Sequence, residues 1–442
     1  MSDAPGINTA ATAEGFRHND HGDLELRPNE IAVGVIVGRI GEAFDFFVYG
    51  IASVLVFPAL FFPFVSTYDG IFYCFVIFSL GFVARAAGAF VFRVIHVRYG
   101  RPAKLTSALF LLGTSTVCIA FLPGYAEIGV TAIALLAALR VTQGLAVGGA
   151  WDGLPSLLAV TAPPGKRGWY AMISQLGAPI GFIVATALFA YLAAGIAADE
   201  FIDWGWRFAF FTAFAINVVT LFARLRMVVT PEYDELLHAR ELNPSPLGEL
   251  FRDRGKDILL GALVPLAAYA LFHLVTIFPL TWVILFPEQF APGDLFELQI
   301  IGAFLCLGSM LISGRVADRI GRPRTMWWGS VLIVLFCLPA PFLGDTEFGA
   351  RAFVPVGFAL LGFSLAQSAG AVNDCFESRY RYTGALLTNE LGWLLGAGFA
   401  PLVALVLADY LGNGGVALYL SSGAVASLIA LRVYLKRFAS NA

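Results

Sequence analysis

Charge is what this chain is short of. Of its 442 residues only 13% are Asp, Glu, Lys or Arg, against roughly a quarter in an ordinary soluble domain. Acids and bases nearly cancel, leaving a net charge of −3, and no dense basic cluster is present to grip a phosphate backbone, so nucleic acid is not an expected partner. Cysteine is sparse as well. Cys74, Cys118, Cys306, Cys337 and Cys375 are scattered without a CxxC pair, which argues against a zinc site or a disulfide framework and leaves them as small hydrophobes. His18 and His21 lack a cysteine partner and read as solvated side chains rather than metal ligands. The chain has no Gly-rich phosphate loop with its lysine and no Ser/His/Asp arrangement. It is therefore read as neither an ATP-driven machine nor an enzyme, and no metal or cofactor is expected.

What the chain has in abundance is apolar sequence, at 58% hydrophobic residues. A bilayer core about 30 Å thick takes about 20 apolar residues per helix. Runs of that kind lie near 31–60, 70–95, 104–122, 128–160, 168–196 and 205–226, and, beyond a polar break, near 257–286, 296–315, 324–343, 349–373, 383–408 and 414–435. The expected class is an all-α membrane protein with 12 transmembrane helices in two six-helix pseudo-symmetric bundles. The expected organisation is a polar tail at 1–30, bundles at 31–226 and 257–437, a linker at 227–256 and a short tail at 438–442. The first thirty residues have no apolar stretch beside a small-residue cleavage site, so they read as a disordered tail rather than a signal peptide.

Lysine and arginine orient the spans. One set of loops carries Arg98, Arg101 and Lys104, then Lys166 and Arg167, then Arg240, Arg252, Arg254 and Lys256, then Arg319, Arg322 and Arg324, then Arg379 and Arg381, then Lys436 and Arg437; the alternate loops offer only Arg351. Both termini are expected on the cytoplasmic side, as an even number of spans demands. A repeat agrees with the count. "RYGRP" at Arg98–Pro102 returns as "RIGRP" at Arg319–Pro323, 221 residues further on and between the second and third spans of each half. Parallel six-helix repeats around a midplane site are one plan for alternating access.

Within the first span, "GRIGEAFDFFVYG" at Gly38–Gly50 puts Arg39, Glu42 and Asp45 where a lipid-facing helix tolerates no charge. Steps of three residues turn about 300°, so the three form a ladder on one side of the helix. Unpaired at the bilayer centre they would cost on the order of 8 to 10 kcal/mol, so this side faces a cavity or other helices. Arg39 is expected to hold Glu42 ionised, leaving Asp45 as the proton carrier. An anion that drew Arg39 away would let the Glu42 and Asp45 pair, titrating as one unit, take up a proton. A static ion pair between the first helix and the fourth or fifth is the competing reading. Tyr49, seven residues from Glu42, returns to nearly the same face and is placed in the same pocket.

These stretches resemble the metabolite:proton symporters of the major facilitator superfamily. The match rests on Glu42, Asp45, Phe46, Tyr49 and Gly50 in the first helix, on "GFVARAAGAFVF" around Arg85, on "LRVTQGLAVGGAWDG" with Arg140, Gln143, Gly144, Gly148 and Gly149, on "WGWRFAF" at Trp204–Phe210 and on "RYTG" at Arg381–Gly384. The sequence departs from that pattern at Ala43, where the family usually has Trp, at Ala86, where it usually has Pro, and at three further places. His96 and Val97 stand where the first loop normally has Gly-Asp, the fourth-helix acid is replaced by Ala150 with Asp152 two positions on, and Glu390 occupies a usually neutral position. The resemblance implies a proton-coupled importer of a small organic solute in the inner membrane, with no cofactor beyond the proton gradient and the lipid bilayer and substrate as its partners. A monomer is expected.

Residues and resemblance together place proton coupling at Asp45, Glu42, Glu390 and Asp152, and substrate contact at Arg39, Arg140, Gln143, Tyr49, Trp151 and His273. The gate falls to Arg85, Arg98, Arg101, Asp318, Arg319 and Arg322. Glu390 either pairs with Arg381 near the water or faces the cavity, and His273 either relays protons or packs as a hydrogen-bonded core residue. Arg39 is additional to the family pattern, and arginine suits bidentate carboxylate recognition, so the substrate is expected to be an organic carboxylate. Zwitterions such as betaines or proline, an exchange or efflux mode suggested by "QLGAPIG", and a non-transporting sensor are the alternatives.

Overall fold

Proline opens several of the helices, at positions where its missing N–H would have no partner and its fixed φ already suits the first turn. Helix α1, Pro28–Leu55, begins this way. The structure, a computed structural model, describes residues 16–18, 24–26, 28–150, 158, 162–228, 245–286, 291–339, 342, 347–369 and 376–438. Trp151 and Asp152 lie outside the described residues.

After α1 comes α2, Thr67–Ala120, started by Ser66, whose hydroxyl accepts from the Asp69 amide at 3.1 Å. Helix α2 makes two crossings, because Gly100 breaks it at φ 85° and ψ 174°. Then follow α3 (Val130–Gly149), α4 (Arg167–Ile173), α5 (Gly177–Gly195) and α6 (Arg207–Val228). The second half contains α7 (Leu247–Leu263), α8 (Leu266–Thr276), α9 (Leu280–Leu285), α10 (Pro292–Ile320), α11 (Arg322–Cys337), α12 (Glu347–Leu365), α13 (Ser378–Trp393) and α14 (Ala400–Phe438), the last broken at Gly412. Taking α4 with α5, α7 through α9 as one broken span, and α13 with the first arm of α14, the described residues trace twelve crossings in two groups of six.

The repeat seen in the sequence has a backbone counterpart. Gly100 and Gly321, the glycines of "RYGRP" and "RIGRP", have φ of 85° and 88°, a region with extended ψ that is essentially reserved for glycine. Each marks the reversal between the second and third crossings of its half, and the arginines that follow, Arg101 and Arg322, are both buried.

Two expectations about the ends and the linker change. Part of the tail expected to be disordered forms a small antiparallel ladder, in which Phe16–His18 pairs with Leu24–Leu26. The second part of the 227–256 linker is helical: α7 starts at Leu247 and bends at Arg254 into the seventh crossing. Its polar side docks on the second bundle. Glu249 pairs with Arg379, Tyr380 donates to Asp253 Oδ2 at 3.0 Å, and Asp257 binds Arg437 at 2.8 Å.

In lipid, helices associate by close packing rather than by the hydrophobic effect, which favours small residues at their interfaces. The seam between α2 and α3 works that way. A Cβ on Gly144 would lie 2.2 Å from the Gly81 carbonyl oxygen, and one on Gly148 would lie 2.1 Å from the Arg85 carbonyl oxygen. This Gly-x-x-x-Gly face draws α3 onto α2 and brings Arg85 and Arg140 to the same central space. Phenylalanine fills the rest of the interior, with Phe44, Phe47, Phe57, Phe61, Phe75 and Phe78 fully buried.

Candidate functional site between the bundles

A cavity of about 110 Å³ lies at the seam of the two halves. Its walls include Arg39, Glu42, Asp45, Arg85, Arg140 and Gln143 from the first half, and Phe272, Asn389 and Trp393 from the second. Three polar assemblies meet there.

The first is on α1. Arg39 Nη1 donates to Glu42 Oε2 at 3.0 Å, one turn away as the spacing predicts. Glu42 has a second cation that spacing along α1 does not reveal: Arg224 of α6 lies 2.7 Å from its Oε1. Glycines make room for this. A Cβ on Gly38 would stand 2.6 Å from Arg224 Nε, and one on Gly41 would stand 2.4 Å from Thr220 Oγ1. The ion pair thus ties α1 to the sixth crossing, not to the fourth or fifth.

The second assembly holds Asp45 and corrects the expected partnership. Asp45 Oδ1 accepts from Thr116 Oγ1 at 2.6 Å and from Asn217 Nδ2 at 2.9 Å, with no bond to Glu42. Because Arg224 remains on Glu42 when Arg39 moves, withdrawal of Arg39 would not strip the acids of counter-charge. A different connection runs the other way. Arg140 Nη1 donates to Gln143 Oε1 at 3.3 Å, Gln143 Nε2 donates to Thr116 Oγ1 at 2.9 Å, and Thr116 passes its own hydrogen to Asp45. Every donor points towards the carboxylate. Arg140 is buried with no ion-pair partner among the described residues, and its charge is instead cradled by aromatic faces, Tyr49 at 4.0 Å, Phe78 at 4.9 Å and Phe46 at 5.6 Å. Such faces stabilise a cation without neutralising it.

The third assembly crosses between the bundles. Arg85 Nε and Nη2 donate to Glu390 Oε2 and Oε1 at 2.5 and 3.0 Å, the two-pronged geometry of a guanidinium on a carboxylate. Glu390 is 4% exposed and bonded to Arg85, so the expected wet position beside Arg381 gives way to a buried bridge. Trp393 backs Arg85 at 5.7 Å and stacks on Tyr269 at 4.3 Å, while Asn389 Nδ2 donates to Glu390 Oε1 at 3.3 Å. The α-helix changes to a π-helical turn at Leu394–Gly398, immediately after this cluster, and such turns recur at functional sites.

Two residues placed in the pocket by sequence sit behind its walls. Tyr49 supports Arg140 from beneath and is 1% exposed. His273 is enclosed by Phe46, Phe78, Phe82 and Phe272, with ring centroids 5.1 to 5.7 Å away, and neither ring nitrogen has a hydrogen-bond partner among the described residues. It is thus not the hydrogen-bonded core residue of the simpler expectation. An unpaired buried polar group costs about 1–3 kcal/mol, so His273→Leu is expected to raise the thermal unfolding midpoint of the detergent-solubilised protein. A lower midpoint would mean the imidazole has partners in the folded state.

On the face with the basic loops, Asp318 Oδ1 accepts from the amides of Gly168 and Trp169 at 2.7 and 3.1 Å. An acid of the second half so caps the first turn of α4 in the first half, where backbone donors and the helix dipole favour negative charge. Arg98 and Arg319 are exposed there, and Arg98 lies over Tyr99 at 5.4 Å.

Two helical bundles enclosing a charged, aromatic-walled cavity, latched to one another on one face, define a multi-pass membrane transporter. The chain belongs to the major facilitator superfamily, whose family model matches residues 47–388. It is 35% identical to the "Inner membrane metabolite transport protein YhjE" of Escherichia coli strain K12, over 95% of this chain and 97% of that one. It is 30% identical to the shikimate transporter of the same strain, over 92% and 95% of the two chains. Among solved structures it superposes on that of a D-xylose-proton symporter with a TM-score of 0.69, covering 93% of this chain and 97% of the other at 15% identity, a likeness that speaks to the fold.

Proposed function

We propose that this transporter imports a small organic carboxylate together with a proton, across the inner membrane and with both termini in the cytoplasm. The observation that carries the reading is the directed hydrogen-bond chain from Arg140 through Gln143 and Thr116 to Asp45. Arg140 is a buried cation with no ion-pair partner among the described residues, and Asp45 is a buried acid whose hydrogen bonds there come from a hydroxyl and an amide. A carboxylate seated on Arg140 would pull its guanidinium away from Gln143, loosen the donor held on Thr116 and weaken the support for ionised Asp45. A proton would then bind there more readily. The energy is sufficient. A proton and a monocarboxylate cross together with no net charge, so the pH gradient drives them, and each pH unit is worth about 1.4 kcal/mol, or about tenfold in concentration.

The relative named as a shikimate transporter is consistent with a carboxylate. A second reading has its own support. Phe46, Phe82, Phe272 and Trp393 form an aromatic wall of the kind that receives quaternary ammonium groups, and a relative 26% identical is named a putative proline/betaine transporter. Uptake into vesicles across an imposed pH gradient, over a panel of carboxylates and betaines, decides between them. Accumulation of a carboxylate is the expected result; accumulation of betaines alone would move the substrate class, and no accumulation of any solute would remove symport.

Arg140→Lys tests the anion site directly. Lysine keeps the charge but loses the planar fork, and hydrogen bonds to charged groups are worth about 1.5–3 kcal/mol. The half-saturating substrate concentration is therefore expected to rise about tenfold to a hundredfold, with the maximal rate less affected. An unchanged value would place the substrate elsewhere.

A further inference from the structure

A second cavity, of about 570 Å³ and open to the outside, lies at the ends of α11 and α14, away from the transport site. Two helices build it with the same spacing. Arg324, Trp327 and Trp328 follow at positions i, i+3 and i+4 on α11, and Arg432, Leu435 and Lys436 do the same on α14, so each helix turns one face to the groove. Trp327 packs against the small apolar cluster of Val264, Met326, Ala430 and Leu431.

The charges here differ from their neighbours in having no acid. Arg437, one residue past Lys436, is bound to Asp257 at 2.8 Å, and Arg379 is paired with Glu249. Among the described residues Arg324, Arg432 and Lys436 have no ion pair or hydrogen bond, and all three are exposed. Three uncompensated cations around one concavity set up a positive potential that only an anion relieves. Beside them stand Trp327 and half-exposed Trp328, the residue type that seats at the headgroup level of a bilayer. The groove combines exposed cations with tryptophan and leucine side chains at the ends of two membrane helices. That combination selects an amphiphile over a soluble ion.

We infer that the groove between α11 and α14 is a binding site for an anionic phospholipid of the surrounding leaflet. Arg324, Arg432 and Lys436 receive the phosphate, and Trp327, Trp328 and Leu435 pack against the glycerol and the first acyl carbons. Phosphatidylglycerol and cardiolipin have the required chemistry; phosphatidylethanolamine, with no net charge, does not.

The test is native mass spectrometry on the full-length protein in mild detergent, titrated separately with phosphatidylglycerol, cardiolipin and phosphatidylethanolamine. Each interfacial Lys or Arg contributes about a factor of five for an anionic lipid. R324Q/R432Q should therefore weaken binding of the anionic lipids on the order of twenty-five-fold, with phosphatidylethanolamine unchanged. K166Q/R167Q removes two exposed cations of the same face at another site and should bind as the unaltered protein does. Trp328→Ala, which leaves the charge intact, should also reduce anionic-lipid retention; both groove variants are first shown to be monodisperse by size exclusion. Equal lipid binding by R324Q/R432Q and the unaltered protein would overturn the proposal. So would displacement of the lipid by inorganic phosphate or glycerol phosphate at matched concentration, which would make the groove a site for soluble phosphates.

Discussion

Asp45→Asn is expected to abolish pH-gradient-driven accumulation while leaving exchange of internal for external substrate. The two halves of this result rest on different bonds. Asparagine keeps an oxygen at the Oδ1 position, so Thr116 and Asn217 retain the acceptor they have at 2.6 and 2.9 Å, and the junction of α1, α2 and α6 loses no packing volume. The cavity and Arg140 therefore persist, and substrate continues to bind and cross. What asparagine lacks is a titrating group. With no proton to carry, the concentrating power of the imposed pH gradient, about tenfold per pH unit for a monocarboxylate, is lost. Radiolabelled solute in vesicles measures both quantities: net accumulation under an imposed gradient, and counterflow without one. Accumulation that survives in Asp45→Asn would exclude Asp45 as the proton carrier and turn attention to Glu390, which is as little exposed as Asp45 at 4%. Loss of counterflow as well would mean that the charge of Asp45, rather than its proton, holds the cavity in shape.

Much of the fold could be read along the chain because the cost of placing backbone and charge in lipid is local. Each crossing must be apolar over its own twenty residues, and Gly100 and Gly321 announce a repeated reversal by residue type alone. The site was legible only one helix at a time. Spacing shows that Arg39, Glu42 and Asp45 share a side of α1, and the Arg39 to Glu42 bond follows from it. It does not show what faces that side. Arg224 looks like one more basic residue closing a span, yet the glycines at 38 and 41 admit it to Glu42. Thr116, the last of three hydroxyl residues at 114–116, and Asn217 are neutral polar residues in apolar helices, where a hydroxyl more often bonds back to its own backbone. Only the packing of α2 and α6 against α1 turns them to Asp45. Tyr49 has the right helical phase and the wrong depth, lying beneath Arg140 instead of in the cavity. The Arg85 and Glu390 bridge spans 305 residues of sequence, beyond the reach of any periodicity.

That bridge has two candidate roles, as an inter-bundle clasp or as a second proton site, and replacement of its members separates them. Glu390→Leu leaves the part-buried Arg85 without the carboxylate it binds, and Arg85→Leu leaves the buried Glu390 without its guanidinium. Breaking a buried pair in this way costs about 3–5 kcal/mol, whereas replacing both partners by apolar side chains is often neutral. Each single variant is therefore expected to lose stability by that order in a denaturant titration of the detergent-solubilised protein, and R85L/E390L to regain most of it. Because Arg85 belongs to α2 and Glu390 to α13, the lost energy falls on a contact between the halves, and the singles should also populate conformations in which the cavity is open. If the bridge is only a clasp, R85L/E390L should still accumulate substrate under a pH gradient, at an altered rate, since Asp45 and its donors are untouched. If Glu390 takes up a proton in the cycle, the double variant should fold stably and exchange substrate but fail to accumulate it. We expect the first outcome. Arg85 already holds Glu390 by two bonds, at 2.5 and 3.0 Å, a paired counter-charge that Asp45, bonded to a hydroxyl and an amide, does not have.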